Sequence, residues 1–124
     1  MAAQQLALDL DVGLIRFRDL KPGDRFRIPD GRHREGRTAT VTSPVWHWVT
    51  GRIPDSDEHL AGTVAVGYAI TRSTSSEGGS MFFPADDEVR IVDRATGDRA
   101  AAWAQWCDWI EHGDWPRGAK MPPL

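Results

Sequence analysis

Residues 63–71 alternate between large apolar side chains and small or polar ones along their whole length. Val64, Val66, Tyr68 and Ile70 occupy one set of alternate positions, and the other set holds Thr63, Ala65, Gly67, Ala69 and Thr71. Successive side chains of a strand point to opposite faces of a sheet, so a period of two is typical of a half-buried strand. The segment therefore predicts a β-strand, and a core that is built at least partly on a sheet.

The same alternation recurs in shorter runs on both sides of this strand. Apolar residues alternate with arginines or threonines at 15–18, 25–28 and 38–42, and further short apolar runs lie at 45–49, 81–83 and 89–91. Turn-forming residues separate the runs, such as Pro22 and Gly23 early in the chain and the polar stretch 72–80 later. Five or more short strands joined by such turns predict a small barrel or sandwich rather than parallel βαβ units.

The periodicity becomes helical after residue 94. Thr96 or Asp98 can cap a helix, and the alanines that follow favour one. Trp103, Trp106, Cys107 and Ile110 recur at i, i+3, i+4 and i+7, so they share one helical face. We expect that face to pack on the sheet, and we expect Gly113 to end the helix.

These patterns divide the chain into a flexible N-terminal tail (1–13), a small β-barrel (14–93), a C-terminal helix (94–113) and an irregular tail (114–124). A length of 124 residues with 40% hydrophobic content suits one domain with a modest core. No apolar run approaches the ~20 residues of a membrane helix, and the start lacks a secretion signal. The single cysteine, Cys107, excludes an internal disulfide and indicates a reducing cytoplasm, where we expect an inert, buried thiol.

Basic charge is concentrated near the start of the predicted barrel. Residues 16–37 hold eight basic and four acidic side chains, whereas residues 53–124 hold six and twelve. Arg32, Arg34 and Arg37 crowd one loop, either as a weak contact for the phosphates of DNA or as a solvated hairpin tip. Trp46 and Trp48 point the same way if 45–49 is a strand. We expect them to pack beneath the helix, and a stacking platform for bases is the alternative.

From Leu20 to Asp93 the chain resembles the small SH3-like, KOW-type β-barrels. The resemblance lies in the entry turn, Leu20-Lys21-Pro22-Gly23-Asp24, and in Gly31 and Gly36 ahead of the strand at 38–42. The later pattern that begins with Phe83-Pro84 resembles one found in small accessory proteins of GC-rich bacteria and their phages. The resemblance implies a binding module more often than an enzyme, although a fold alone does not determine a function.

The N-terminal segment Gln5-Leu6-Ala7-Leu8-Asp9-Leu10 resembles the bacterial sliding-clamp-binding hexapeptide, Gln-Leu-x-Leu-x-Leu, at all four specified positions. The resemblance implies that Gln5, Leu6, Leu8 and Leu10 contact the clamp, with Gln5 in the first subsite and Leu8 and Leu10 in the hydrophobic pocket. The same alternation of leucines is also typical of an added edge strand of the barrel. Both interpretations stay open at this point.

Catalytic and metal-binding patterns are absent from the sequence. The four histidines lack the spacing of metal ligands, and there is no phosphate-binding glycine loop or nucleophile motif. We therefore expect neither an enzyme nor a cofactor. The expected function is an adaptor or inhibitor at the replication clamp. The alternatives are a nucleic-acid-binding barrel without a clamp partner and a small phage structural or assembly protein.

Overall fold

The computed structural model describes residues 13–47, 62–71 and 77–124, and the hexapeptide at 5–10 lies outside them. Seven strands precede one α-helix in these residues. The strands are β1 (Leu14–Arg16), β2 (Arg25–Arg27), β3 (Thr38–Val41), β4 (Trp46–His47), β5 (Thr63–Ile70), β6 (Gly78–Pro84) and β7 (Glu88–Asp93). A 3₁₀ turn at Phe17–Asp19 follows β1, and helix α1 covers Gly97–His112. The predicted fold class, mainly β with a C-terminal helix, is confirmed.

All the strand pairs are antiparallel, and they form one sheet in the order β1-β7-β2-β3-β5-β4, with β6 on β5. Strand β5 is the longest and pairs with three others: β3 and β4 along one edge, and β6 along the other. The β6–β7 turn returns the chain to the far end of the sheet, where β7 lies between β1 and β2. The sheet is curved back in this way but is not closed, so the predicted barrel is incomplete.

The inner face of the sheet carries the core. Val64, Val66 and Ile70 of β5 are fully buried, as their alternation predicted. The rings of Phe17 and Phe83 stack with their centroids 4.0 Å apart, and Phe26 meets Phe83 edge-on at 6.5 Å. These aromatic contacts join the 3₁₀ turn, β2 and β6, which are far apart in the sequence. They add to the apolar area that each ring buries.

Helix α1 is anchored to the rest of the fold mainly through one tryptophan. Trp103 is fully buried, Trp106 and Cys107 are half-buried, and Ile110 is 49% exposed. The predicted apolar face is therefore right for Trp103 and wrong for Ile110, which lies near the C-terminal end of α1. Gly113 ends α1 in the left-handed conformation, at φ 65°. In the described part of the chain no helix is long and apolar enough to cross a membrane.

Candidate functional site

The basic loop, residues 28–37 between β2 and β3, forms a compact hairpin end. Hydrogen bonds between its own main-chain atoms hold it in shape. The amide of Ile28 donates to the carbonyl of Arg37, and the amide of Gly36 donates back to the carbonyl of Ile28, both at 2.9 Å. The carboxylate of Glu35 accepts a hydrogen bond from the amide of Gly31 at 3.1 Å. Arg34 adopts a positive φ of 63°. These bonds fix the main chain of the loop and therefore the positions from which its arginine side chains project.

The three predicted arginines of this loop are directed to three different places. The guanidinium of Arg32 lies 4.6 Å from the centre of the Phe83 ring, at the end of the core. Arg34 forms an ion pair with Glu77 at 2.5 Å. Arg37 forms no ion pair with any residue that the structure describes. Arg32 also forms no ion pair with these residues, but its guanidinium is engaged by the Phe83 ring. Arg37 is therefore the member of the set that has neither kind of contact among the described residues.

Arg37 lines an open cleft of about 470 Å³ on the outer face of the sheet. Its lining residues come from β2, the basic loop, β3, the end of β5 and β7: Arg25, Gly36, Arg37, Thr38, Thr71, Val92 and Asp93. Arg25 was missed as a site residue. Its signal was present in the sequence, because Arg25 alternates with the buried Phe26 and so faces outward. Its closeness to Arg37 depends on the pairing of β2 with β3, which the alternation does not specify.

Among the described residues, one acidic side chain lines the cleft, that of Asp93, and two arginines form ion pairs with it. Nη1 of Arg25 lies 3.1 Å from Oδ2 of Asp93, and Nη1 of Arg99 lies 2.6 Å from the same oxygen. Nη2 of Arg25 donates to the main-chain oxygen of Leu124 at 2.9 Å. Nε of Arg25 is buried without a hydrogen-bond partner. Since Arg37 also lines the cleft, positive charges outnumber negative ones among the described lining residues.

Trp46 lies on the outer face of the sheet and not beneath the helix. It is 56% exposed and stands opposite Ala65 of β5, and Ala65 in turn stands opposite Phe82 of β6, which is 41% exposed. Residues directly opposite in antiparallel strands share a face, so Trp46 and Phe82 flank Ala65 in one row. The expected packing under α1 is wrong for Trp46. Trp48 lies outside the described residues.

Cys107 is half-buried beside the loop that joins β3 and β4. Its thiol lies 3.6 Å from the carbonyl oxygen of Thr42, and burial raises the pKa of Cys107 above its ordinary value. Two mainly apolar hollows of about 420 and 350 Å³ meet at Cys107 and Pro44. The thiol is therefore protonated at neutral pH, which favours the inert role expected of it over a nucleophilic one.

A group of potential metal ligands near the end of α1 was missed in the sequence. Asp108, Glu111 and His112 place one ligand atom each within 4.8 Å of one another. Their i, i+3, i+4 spacing on a helix was the available signal. All three side chains are exposed, and among the described residues no second element adds a ligand to them. The group therefore lacks the enclosure of a structural metal centre.

Comparisons with known proteins leave the resemblances noted above as predictions. No protein-family model matches the chain, and the searches of curated proteins and of solved structures also find no match. The expected clamp contacts at Gln5, Leu6, Leu8 and Leu10 lie outside the described residues. The site on the folded body therefore has to be interpreted from its own geometry.

Proposed function

We propose that this chain is a non-enzymatic interaction protein that docks on the bacterial DNA sliding clamp through residues 5–10, in the cytoplasm. The observation that carries the proposal is the match of Gln5, Leu6, Leu8 and Leu10 to the hexapeptide, which precedes β1 in the sequence. Among the described residues, Phe17 is the first side chain of the buried core.

The chemistry of the segment suits a groove that binds an extended peptide. The amide of Gln5 offers both a donor and an acceptor, which orients the peptide. Each leucine that is fully buried in a pocket contributes roughly 1.5–3 kcal/mol. As an inhibitor the protein would occupy the groove that polymerases use. As an adaptor it would bring its folded body to DNA.

A synthetic peptide of residues 3–12 tests this proposal directly. We expect calorimetry with purified clamp to give micromolar affinity, about −8 kcal/mol. The peptide with both Leu8→Ala and Leu10→Ala should give no measurable heat, whereas Gln5→Ala should weaken binding less. A peptide of the same composition in scrambled order is the control. Equal heats from the native and scrambled peptides would refute the proposal.

A nucleic-acid-binding fold without a clamp partner is the second candidate. It is favoured by the exposed Trp46–Phe82 row and by the charge of Arg37, which forms no ion pair with the described residues. Aromatic rings on an outer face can stack on bases at about 1–3 kcal/mol per base. Fluorescence anisotropy with single- and double-stranded oligonucleotides at low salt tests it. We expect weak, strongly salt-dependent binding, and salt-insensitive binding would contradict a phosphate mechanism.

A further inference from the structure

We infer that the outer cleft between Arg25 and Arg37 is a phosphoryl-binding site that holds the phosphodiester backbone of a nucleic acid. The inference rests on the second candidate function above and names its site. The predicted contacts were the three loop arginines and two tryptophans. The structure instead joins Arg37 to Arg25, Thr38 and Thr71 in one open cleft.

The charges that line the cleft favour an anionic ligand. Asp93 is neutralised by Arg25 at 3.1 Å and by Arg99 at 2.6 Å, so it does not repel an incoming anion as an isolated carboxylate would. Arg37 has no ion pair with the described residues, and Arg34 is held by Glu77. Arg27, which faces outward beside the cleft on β2, donates to the carbonyl of Gly36 at 3.1 Å. Among the described residues that line the cleft, two arginines therefore face one aspartate, and the net charge is positive.

The hydrogen-bond donors of the cleft suit the oxygens of a phosphoryl group. A guanidinium presents several N–H donors in a plane and suits phosphate oxygens in a bidentate arrangement. Thr38 and Thr71 each carry a hydroxyl group and line the same wall of the cleft. The amide of Thr71 donates to the carbonyl of Thr38 at 2.9 Å and so holds the two residues together. The hydroxyls of Thr71 and Thr40 share a hydrogen bond at 2.8 Å, which fixes the Thr71 side chain. The wall is thus held in position before a ligand arrives.

The size and openness of the cleft suit a ligand that is part of a longer chain. Its volume of about 470 Å³ lies within the range of roughly 300–1,000 Å³ that is usual for ligand sites. The cleft is open to solvent, and its lining residues come from β2, β3 and β7 and from the segments next to β3 and β5. An open groove on a sheet admits a chain that enters and leaves it. A phosphodiester backbone meets that condition.

Substitution at Arg37 gives the sharpest binding test. The full-length protein is titrated into a labelled 12-nucleotide single strand at low salt, and the dissociation constant is read by fluorescence anisotropy. We expect Arg37→Gln to weaken binding at least tenfold and to reduce the salt slope by about 0.7, the value for one phosphate contact on a single strand. Arg37→Lys should recover part of the loss, since a point charge remains.

Arg16→Gln is the matched control, because Arg16 is an exposed arginine on β1 that does not line the cleft. It should change the affinity less than threefold. Equal weakening by Arg16→Gln and Arg37→Gln would overturn the inference in favour of diffuse attraction. Binding that is insensitive to Arg37→Gln would overturn the cleft but leave the nucleic-acid function. A wild-type protein that binds no oligonucleotide would overturn both.

Amide NMR spectra of the full-length protein distinguish the sources of the phosphoryl group. The two probes are the same oligonucleotide and adenosine monophosphate. Shifts at Gly36, Thr38 and Thr71 with the oligonucleotide alone would support a backbone site, and shifts with both would support a phosphoryl site that also admits free nucleotides. Shifts with the nucleotide alone, or no shifts at these amides, would overturn the inference. Clamp binding by the Arg37→Gln variant should equal that of the wild type, so failure of the clamp proposal is recognised separately.

Discussion

Trp103 of α1 packs against Gly23, which lies in the turn that leads into β2. Gly23 has a φ of 91°, and a Cβ atom at this position would collide with the Trp103 ring and lie 2.9 Å from the Cβ of Ala95. The amide of Gly23 donates to the carbonyl of Val41 at 2.8 Å, so the turn cannot move away without losing a bond to β3. A residue without a side chain is thus required here for the tryptophan to be buried.

Truncation of this tryptophan should strongly destabilise the protein. Trp103→Ala leaves a cavity where the ring is now fully buried, and we expect a loss of roughly 3–5 kcal/mol in the free energy of unfolding. Ile110→Ala on the same helix is the control. It removes a side chain that is 49% exposed, and it should cost less than about 1 kcal/mol. Similar losses in urea denaturation would show that the helix is not anchored at Trp103.

The pKa of His112 should lie above its ordinary value of 6.5. Its Nδ1 donates to the main-chain carbonyl of Asp108 at 2.8 Å, and the carboxylate of Asp108 adds a favourable charge interaction. Because the raised pKa favours the protonated form in the native state, this contribution to stability is complete below the unfolded pKa. It is lost as the pH rises through the folded value.

Removal of the Asp108 charge tests this assignment. Asp108→Asn should lower the pKa of His112 in an NMR titration of the imidazole, but only in part, since the main-chain hydrogen bond remains. Glu111→Gln should have a smaller effect, because its charge acts more weakly on His112. A pKa that responds to Glu111→Gln and not to Asp108→Asn would contradict the structure.

At the scale of elements, Asp24 links the β1–β2 connection to the start of the helix. Its buried carboxylate accepts hydrogen bonds from the amides of Lys21 at 2.9 Å and Ala95 at 2.8 Å. Nε of Arg94 lies 3.3 Å from the same side chain. The turn that leads into β2 and the segment that leads into α1 are therefore held by one residue.

Neutralising this carboxylate should loosen both segments together. Asp24→Asn keeps one acceptor oxygen and places an amide group near an amide donor, so we expect a loss of about 2–3 kcal/mol. Asp30→Asn in the exposed basic loop is the matched control and should change stability by less than about 0.5 kcal/mol. Coincident melting of the two variants would show that Asp24 does not connect these elements.

Elements whose apolar residues recur at a regular spacing could be predicted from the sequence. The alternation from Thr63 to Ile70 and the helical spacing from Trp103 onward both correspond to elements of the structure. The continuation of β1 through Phe17 was not found, because the chain enters a 3₁₀ turn that still buries Phe17. Periodicity reports which side chains are buried, and both conformations bury that ring. It also could not show that α1 leaves Ile110 exposed.

At the scale of the whole molecule, the sequence could show which charges are near in the chain but not which meet in space. Arg32, Arg34 and Arg37 are neighbours in the sequence, yet the fold directs them to an aromatic ring, an ion pair and an open cleft. Arg25 joins Arg37 only because β2 pairs with β3, and Asp93 joins them because β7 pairs with β2. Such a site depends on strand order, which short alternating runs leave undetermined.

The role of the N-terminal leucines is the central claim for the molecule, and one paired measurement tests it. Calorimetry of the full-length protein with purified clamp is combined with thermal melting of the variant carrying Leu8→Ala and Leu10→Ala. We predict micromolar clamp binding by the wild type, no measurable binding by the variant, and nearly equal melting temperatures. Absence of clamp binding by the wild type, together with a clearly lower melting temperature of the variant, would instead identify the leucines as part of an added strand.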